Sequence, residues 1–243
     1  MEPTDNVAPG TTGAPATANA PESLARASRG LILGSAFAVA ALWFFIRLAD
    51  EVMESETQKI DSGIILFFRT HSSAAVHSFM AGVTWAASGS AQTVLIIAAA
   101  LLFLWLRRFW PDGITILVAG FGGMLLDEGL KRLFHRQRPE AVFYHLGYSF
   151  PSGHALSAVV IYGLLAYWIS REVPVRWRIV VWTVAVLLML LVGFSRVCLA
   201  QHYPTDVIGG YLAGVCWLWG CIGWLSILDR RTAHARLKQR ALE

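Results

Sequence analysis

Three short polar stretches interrupt an otherwise apolar chain, and they hold residue types able to do chemistry together. "KRLFHRQRP", residues 131–139, sets four permanent cations and a histidine within nine positions. "SFPSGHA", 149–155, places a serine, a glycine and a histidine where an apolar run begins, and "SRVCLAQHYPTD", 195–206, adds an arginine, a second histidine and an aspartate. The candidate set is Lys131, Arg138, Ser152, Gly153, His154, Arg196, His202 and Asp206. Cations, two histidines and one carboxylate around a helix start suit phosphoryl transfer. There the moving group spreads negative charge over its oxygens, so catalysis is mostly positioning and electrostatic stabilisation.

Each residue type has a physical part to play. Ser152 and Gly153 stand where the free N–H groups and the dipole of a starting helix favour an anion, and a glycine lets the backbone come close to a phosphate. Arg138 and Arg196 offer planar forks that match phosphate oxygens, while Lys131 acts as a point charge. His202 and Asp206 are four apart with Pro204 between them. If the carboxylate takes one ring N–H, the other nitrogen is left free to attack phosphorus, and His154 would protonate the leaving oxygen. Spacing alone does not say which histidine attacks.

The elements that must carry these stretches are apolar. The chain has 243 residues, 56% hydrophobic and 15% charged, with a mean hydropathy of +0.53. Apolar runs near the ~20 residues that cross a ~30 Å hydrocarbon layer recur along it. Six spans are expected, at about 31–48, 91–107, 112–130, 153–170, 177–196 and 206–228. Between the first two, Ile64–Phe68 and Phe79–Ala87 are too short to span; they read as helices lying at the interface, broken at Gly89. A rival reading makes 74–90 a further span. Residues 1–25, rich in Pro, Ala, Thr and Gly, are expected to form a disordered tail. Residues 26–230 then form the membrane domain and 231–243 a basic cytoplasmic tail.

The net charge of +4 and pI near 9.2 would suggest nucleic acid in a soluble protein, but the cations flank apolar runs and no nucleic-acid partner is expected. Arg26, Arg29, Arg107, Arg108, Arg171, Arg176, Arg178, Arg230 and Arg231 all fall on one side of a six-span chain, the cytoplasm by the positive-inside tendency. Residues 131–139 break that pattern by falling outside, where a basic cluster is most simply an anion site. Cys198, Cys216 and Cys221 have no metal-ligand spacing and read as packing residues.

Lys131…Arg138-Pro139, Pro151-Ser152-Gly153-His154 and Ser195-Arg196…His202…Asp206, in that order, carry a resemblance. The chain resembles the type 2 phosphatidic acid phosphatase family, integral-membrane lipid phosphatases related to vanadium haloperoxidases, over roughly residues 31–228. The resemblance implies an all-α six-span bundle and a reaction without metal or other cofactor, through a phosphohistidine on His202. It makes His154 the acid, Asp206 the partner of His202, and Lys131, Arg138, Ser152, Gly153 and Arg196 the phosphate cradle. It implies a multi-pass protein, with both termini cytoplasmic and the site facing outward from a bacterial plasma membrane. The substrate would be a lipid phosphate whose tail stays in the bilayer. Among undecaprenyl diphosphate, phosphatidylglycerol phosphate and phosphatidic acid, the compact chain and short outer loops put the diphosphate first by a small margin.

A phosphotransferase, passing the phosphoryl group to an acceptor alcohol, shares the first half-reaction and is the nearest rival. A lipid transporter fits less well, because the chain shows no internal repeat and its polar residues gather at one face. Outside the motifs, Asp127 and Glu128 are expected to pair with Lys131 and Arg132 one turn on. Arg132, His135 and Arg136 read as headgroup or rim contacts. Tyr144, His145 and Tyr148 are candidates for the substrate entrance. The sequence does not speak to the oligomeric state.

Overall fold

The computed structural model describes residues 20–87, 89–107, 110–139 and 147–240. Its elements are all helical: α1 (Ala20–Met53), α2 (Gln58–His71), α3 (Ala74–Ala86), α4 (Gly89–Arg107), α5 (Trp110–Phe134), α6 (Gly153–Glu172), α7 (Val175–Cys198) and α8 (Pro204–Arg240). The first helix thus takes in the last part of the stretch read as a tail, and the last helix runs on through the basic stretch after residue 230.

Among the described residues, stretches of α1, α5, α6, α7 and α8 are long and apolar enough to cross a membrane, and α3 and α4, which meet at a 44° bend, pass the same test when taken together, for up to six crossings. The break falls where expected, beside Gly89, since the Ser88-Gly89-Ser90 sequence has neither helix propensity nor apolar bulk.

Burial sorts the helices. In α6 seven consecutive residues, Ala155 to Ile161, are buried or nearly so. A helix enclosed on every side belongs at the centre of a bundle, and α6 packs against α5, α7 and α8. The outer helices keep large apolar side chains on the surface: Phe37 on α1, Trp105 on α4, Leu125 on α5 and Leu187 on α7 are all more than half exposed. A surface so apolar suits hydrocarbon rather than water.

At one end of the bundle the C-termini of α1, α5 and α7 meet the N-termini of α2, α6 and α8. Phe45 of α1, Phe134 of α5 and Phe150 before α6 pack ring on ring there, with centroids 5.1–6.0 Å apart. These contacts tie the loop that enters α6 to the core. The start of α6 also lies hard against α8, because a Cβ on Gly210 would stand 2.4 Å from the carbonyl oxygen of Ser152.

Candidate active site

The residues singled out by type and spacing come from four helix ends and converge. Lys131, Arg138, Gly153, His154, Arg196 and His202 line one cavity of about 300 Å³ at that end of the bundle. A water takes up roughly 30 Å³ of liquid, so the cavity holds a phosphoryl group together with part of what it is bonded to. Ser152 and Asp206 are fully buried beside it.

Local folding explains the placements. The last turn of α7 does not simply fray: the N–H groups of Gln201 and His202 both donate to the carbonyl of Arg196, at 2.9 and 3.3 Å. One backbone oxygen therefore sets a cation and a histidine in fixed relation. Pro204 then opens α8 at the position where its missing N–H costs nothing. Asp206 reaches back to accept from Tyr203 N at 2.9 Å, as a carboxylate at the third helical position often does. The Ser152 backbone N–H donates to the Asp206 carbonyl at 2.9 Å, locking the start of α6 to the start of α8. Ser152 is the N-cap of α6, yet its side chain makes no capping bond, and its buried Oγ has no hydrogen-bond partner. A serine that forgoes its usual cap leaves both Oγ and the first-turn amides for an anion. Arg196 Nε is likewise buried without a partner.

The second histidine holds a readable tautomer. Arg138 Nη1 lies 3.1 Å from His202 Nε2 and 3.0 Å from the Gln201 carbonyl. A guanidinium only donates, so Nε2 must accept and the ring proton sits on Nδ1. Nδ1 in turn faces Asp206 Oδ2 at 3.4 Å, long for a hydrogen bond. Burial, then Arg138, Arg196 and Lys131, push the His202 imidazole well below its ordinary pKa. The neutral ring is the form a nucleophile needs, with its single Nε2 lone pair held by Arg138 in this structure.

Asp127 and Glu128 pair as expected, with Lys131 Nζ at 2.6 Å and Arg132 Nε at 2.8 Å. The Arg132 pair is exposed, in keeping with a rim position. Gly153 has a second duty beside the one its sequence context implies, because a Cβ there would stand 2.3 Å from Asp127 Oδ2. We expect Gly153→Ala to displace Asp127, free Lys131 and crowd the cavity, lowering kcat/KM by about 10²-fold, the usual order for a misplacement near 1 Å. Steady-state assay beside a thermal melt checks this; unchanged kcat/KM would mean that the carboxylate does not hold the lysine in its working place.

Sequence reasoning missed several residues. Gln92 of α4, Met124 of α5 and Ser157 of α6 also line the cavity. Ser157 was findable, since it stands three residues after His154 on the same helix face. Gln92 carried no local signal beyond being polar at the start of an apolar run. Arg136 differs from the expectation of a rim contact: its guanidinium is nearly buried and bonds Asp61 Oδ2 at 2.7 Å and Asp206 Oδ1 at 2.6 Å. Tyr148 packs edge-on against His135, with centroids 4.5 Å apart. Tyr144 and His145 lie outside the described residues.

Residues 112–230 match the PAP2 superfamily. Phosphatidylglycerophosphatase B of Bacillus subtilis (strain 168) is 29% identical over 181 residues, covering 73% of this chain and 89% of that protein. The undecaprenyl-diphosphatase of Sulfolobus acidocaldarius is 30% identical over 146 residues, 57% of this chain and 63% of that protein. Among solved structures, the transmembrane PAP2 type phosphatidylglycerolphosphate phosphatase from Bacillus subtilis superposes with a TM-score of 0.72 at 28% identity, covering 77% of this chain and 94% of that one. Aquifex aeolicus LpxE superposes with a TM-score of 0.52 at 21% identity over 68% of this chain and 95% of that one, a likeness of fold.

Proposed function

This chain carries a PAP2 superfamily domain, homologous to phosphatidylglycerophosphatase B and to undecaprenyl-diphosphatases, and on that footing we propose that it hydrolyses the phosphate or diphosphate of a membrane lipid through a phosphohistidine on His202. The observation that carries the reading is the convergence on one cavity of Lys131, Arg138, Arg196, His154 and His202 from separate stretches of sequence. In the first step His202 Nε2 attacks phosphorus and the bond to the lipid oxygen breaks, that oxygen taking a proton from His154. In the second, His154 removes a proton from water, the water oxygen bonds to phosphorus, and the phosphorus–nitrogen bond breaks to release inorganic phosphate. The cations and the first-turn amides of α6 hold the equatorial oxygens in both steps.

The lipid tail would leave the cavity between α4, α5 and α6, whose facing side chains are apolar. Gln92, Met124 and Ser157 mark where α4, α5 and α6 enter the cavity. Along the same three helices runs a crevice lined by Leu95, Ile96, Ile116, Gly120, Val160 and Leu164. The helices would have to part to admit the tail, since the crevice has a free volume of about 20 Å³; the phosphate then faces outward from the membrane and both termini lie in the cytoplasm, as the distribution of basic residues favours. Phosphatidylglycerol phosphate and a polyprenyl diphosphate are the leading substrates, since proteins named for each are among the relatives.

A cavity faced by Lys131, Arg138 and Arg196, whose one carboxylate is already paired with lysine, repels a divalent cation, so the reaction is read as metal-independent. The test is phosphate release by detergent-purified protein in EDTA, against undecaprenyl diphosphate, phosphatidylglycerol phosphate and phosphatidic acid. We expect one lipid to be cleaved far faster than the others and chelation to change nothing. Activity lost in EDTA and restored by Mg²⁺ would count against the mechanism, and a protein inert towards every lipid phosphate would sink the phosphatase reading. Phosphate appearing only when an acceptor alcohol is added, and then on that alcohol, would favour a transferase.

A further inference from the structure

Helix α2 precedes the matched domain, yet its first turn reaches into the catalytic corner. Asp61 is completely buried. Its Oδ1 accepts from the backbone N–H of Thr205 at 3.2 Å, and its Oδ2 accepts from the Thr205 hydroxyl and from Arg136 Nη2. The same guanidinium donates through Nη1 to Asp206 Oδ1 at 2.6 Å and to Thr205 Oγ1 at 2.8 Å, and lies over the Tyr203 ring at 4.4 Å. Gln58, one turn earlier on α2, donates to the Tyr203 hydroxyl at 3.2 Å.

The fork of Arg136 therefore spans two carboxylates on different elements. Its planar geometry lets one side chain fix both at once, which a lysine cannot do. Each oxygen of Asp206 is accounted for: Oδ1 by Arg136, and Oδ2 by the Tyr203 N–H, with His202 Nδ1 beyond. Without the guanidinium the Asp206 carboxylate would keep only the Tyr203 N–H and could turn away from the imidazole. Without Asp61, Arg136 would keep one anchor and gain room to swing.

We propose that Asp61 and Arg136 are positioning residues for the reaction: a buried relay from α2 through Arg136 to Asp206 that aims His202 at phosphorus. The relay rests on His202 being the attacking group. Neither Asp61 nor Arg136 lines the cavity, so their removal spares the phosphate cradle and acts on the chemical step. Groups that act through one another are non-additive.

The test uses full-length protein in detergent with the best-cleaved lipid, comparing Asp61→Asn, Arg136→Ala, Arg136→Lys and the double variant Asp61→Asn/Arg136→Ala. Asp61→Asn keeps the shape and one acceptor oxygen, which favours folding. We expect it to lower kcat about 30-fold and Arg136→Ala about 10³-fold, each with KM and vanadate affinity within threefold of wild type. The double variant should be no worse than Arg136→Ala, and Arg136→Lys should recover about tenfold over the alanine. A purely structural brace would lower the melting temperature or the yield of folded protein while leaving kcat of the folded fraction intact. Asp61→Asn at wild-type kcat, in an enzyme that His202→Ala inactivates, overturns the relay and leaves the phosphatase reading standing. Loss of vanadate affinity in step with kcat also overturns it, because the cradle would then have moved.

Discussion

His202→Ala is expected to remove turnover by on the order of 10⁴-fold or more, the loss usual when a nucleophile that acts with its base and orienter is deleted. Wild-type protein quenched in alkali during turnover of a ³²P-labelled lipid should carry label that acid removes, as a phosphorus–nitrogen bond requires, and the variant should carry none. The expectation follows from geometry that the ring shares with no other histidine among the described residues. Its Nε2 accepts from Arg138, its Nδ1 faces Asp206, and both of those side chains bond the backbone of the α7–α8 corner, at Gln201 and Tyr203. Binding of phosphate should survive, since Lys131, Arg138, Arg196 and the start of α6 remain; vanadate protection against heat reads that directly. A variant keeping a tenth of the activity would remove His202 from the chemistry.

His154→Gln should divide the reaction in two. Protonation of an alkoxide leaving group by a placed acid contributes about 10²–10⁴-fold, so phosphoenzyme formation from a lipid phosphate should slow by that factor. Formation from p-nitrophenyl phosphate should barely change, because a stable phenolate leaves without help. The second step still needs His154 as base, so this substrate should give a burst of about one equivalent of p-nitrophenol followed by slow turnover. Stopped-flow absorbance measures both phases. Equal slowing of the burst with both leaving groups would mean that His154 supports the cradle and does not move the proton. Its position suits the proposed role: it is the second residue of α6, beside Gly153 at the cavity wall.

Much of the molecule was legible before any coordinates. Apolar runs separated by charged turns mark helices without ambiguity when each approaches twenty residues, and α6, α7 and α8 begin within two residues of where the apolar runs begin. The Asp127–Lys131 and Glu128–Arg132 pairs follow from helical spacing alone. The α3–α4 region was less legible, because Gly and Ser between two apolar pieces are equally consistent with an interfacial α3 beside a crossing α4 and with one crossing bent at a break.

The sequence, read alone, picked out Lys131, Arg138, Gly153, His154, Arg196 and His202, which the fold brings to one cavity. Cations, two histidines and a helix start are the groups that phosphoryl transfer would call for, and they stand close together in short polar stretches of the sequence. Tertiary structure decided how those residues are held. Asp61 lies 75 residues before Arg136 in the chain, on a helix with no motif, and nothing in its neighbours distinguishes it from a surface acid. Arg136 stands in the same nine-residue run as Lys131 and Arg138, yet it turns away from the cavity to bind two carboxylates. Gln92 joins the cavity through the packing of α4 against α5 and α6. A buried charge is stable only beside its partners, and where those partners lie far off in sequence, only the folded chain can bring them into view.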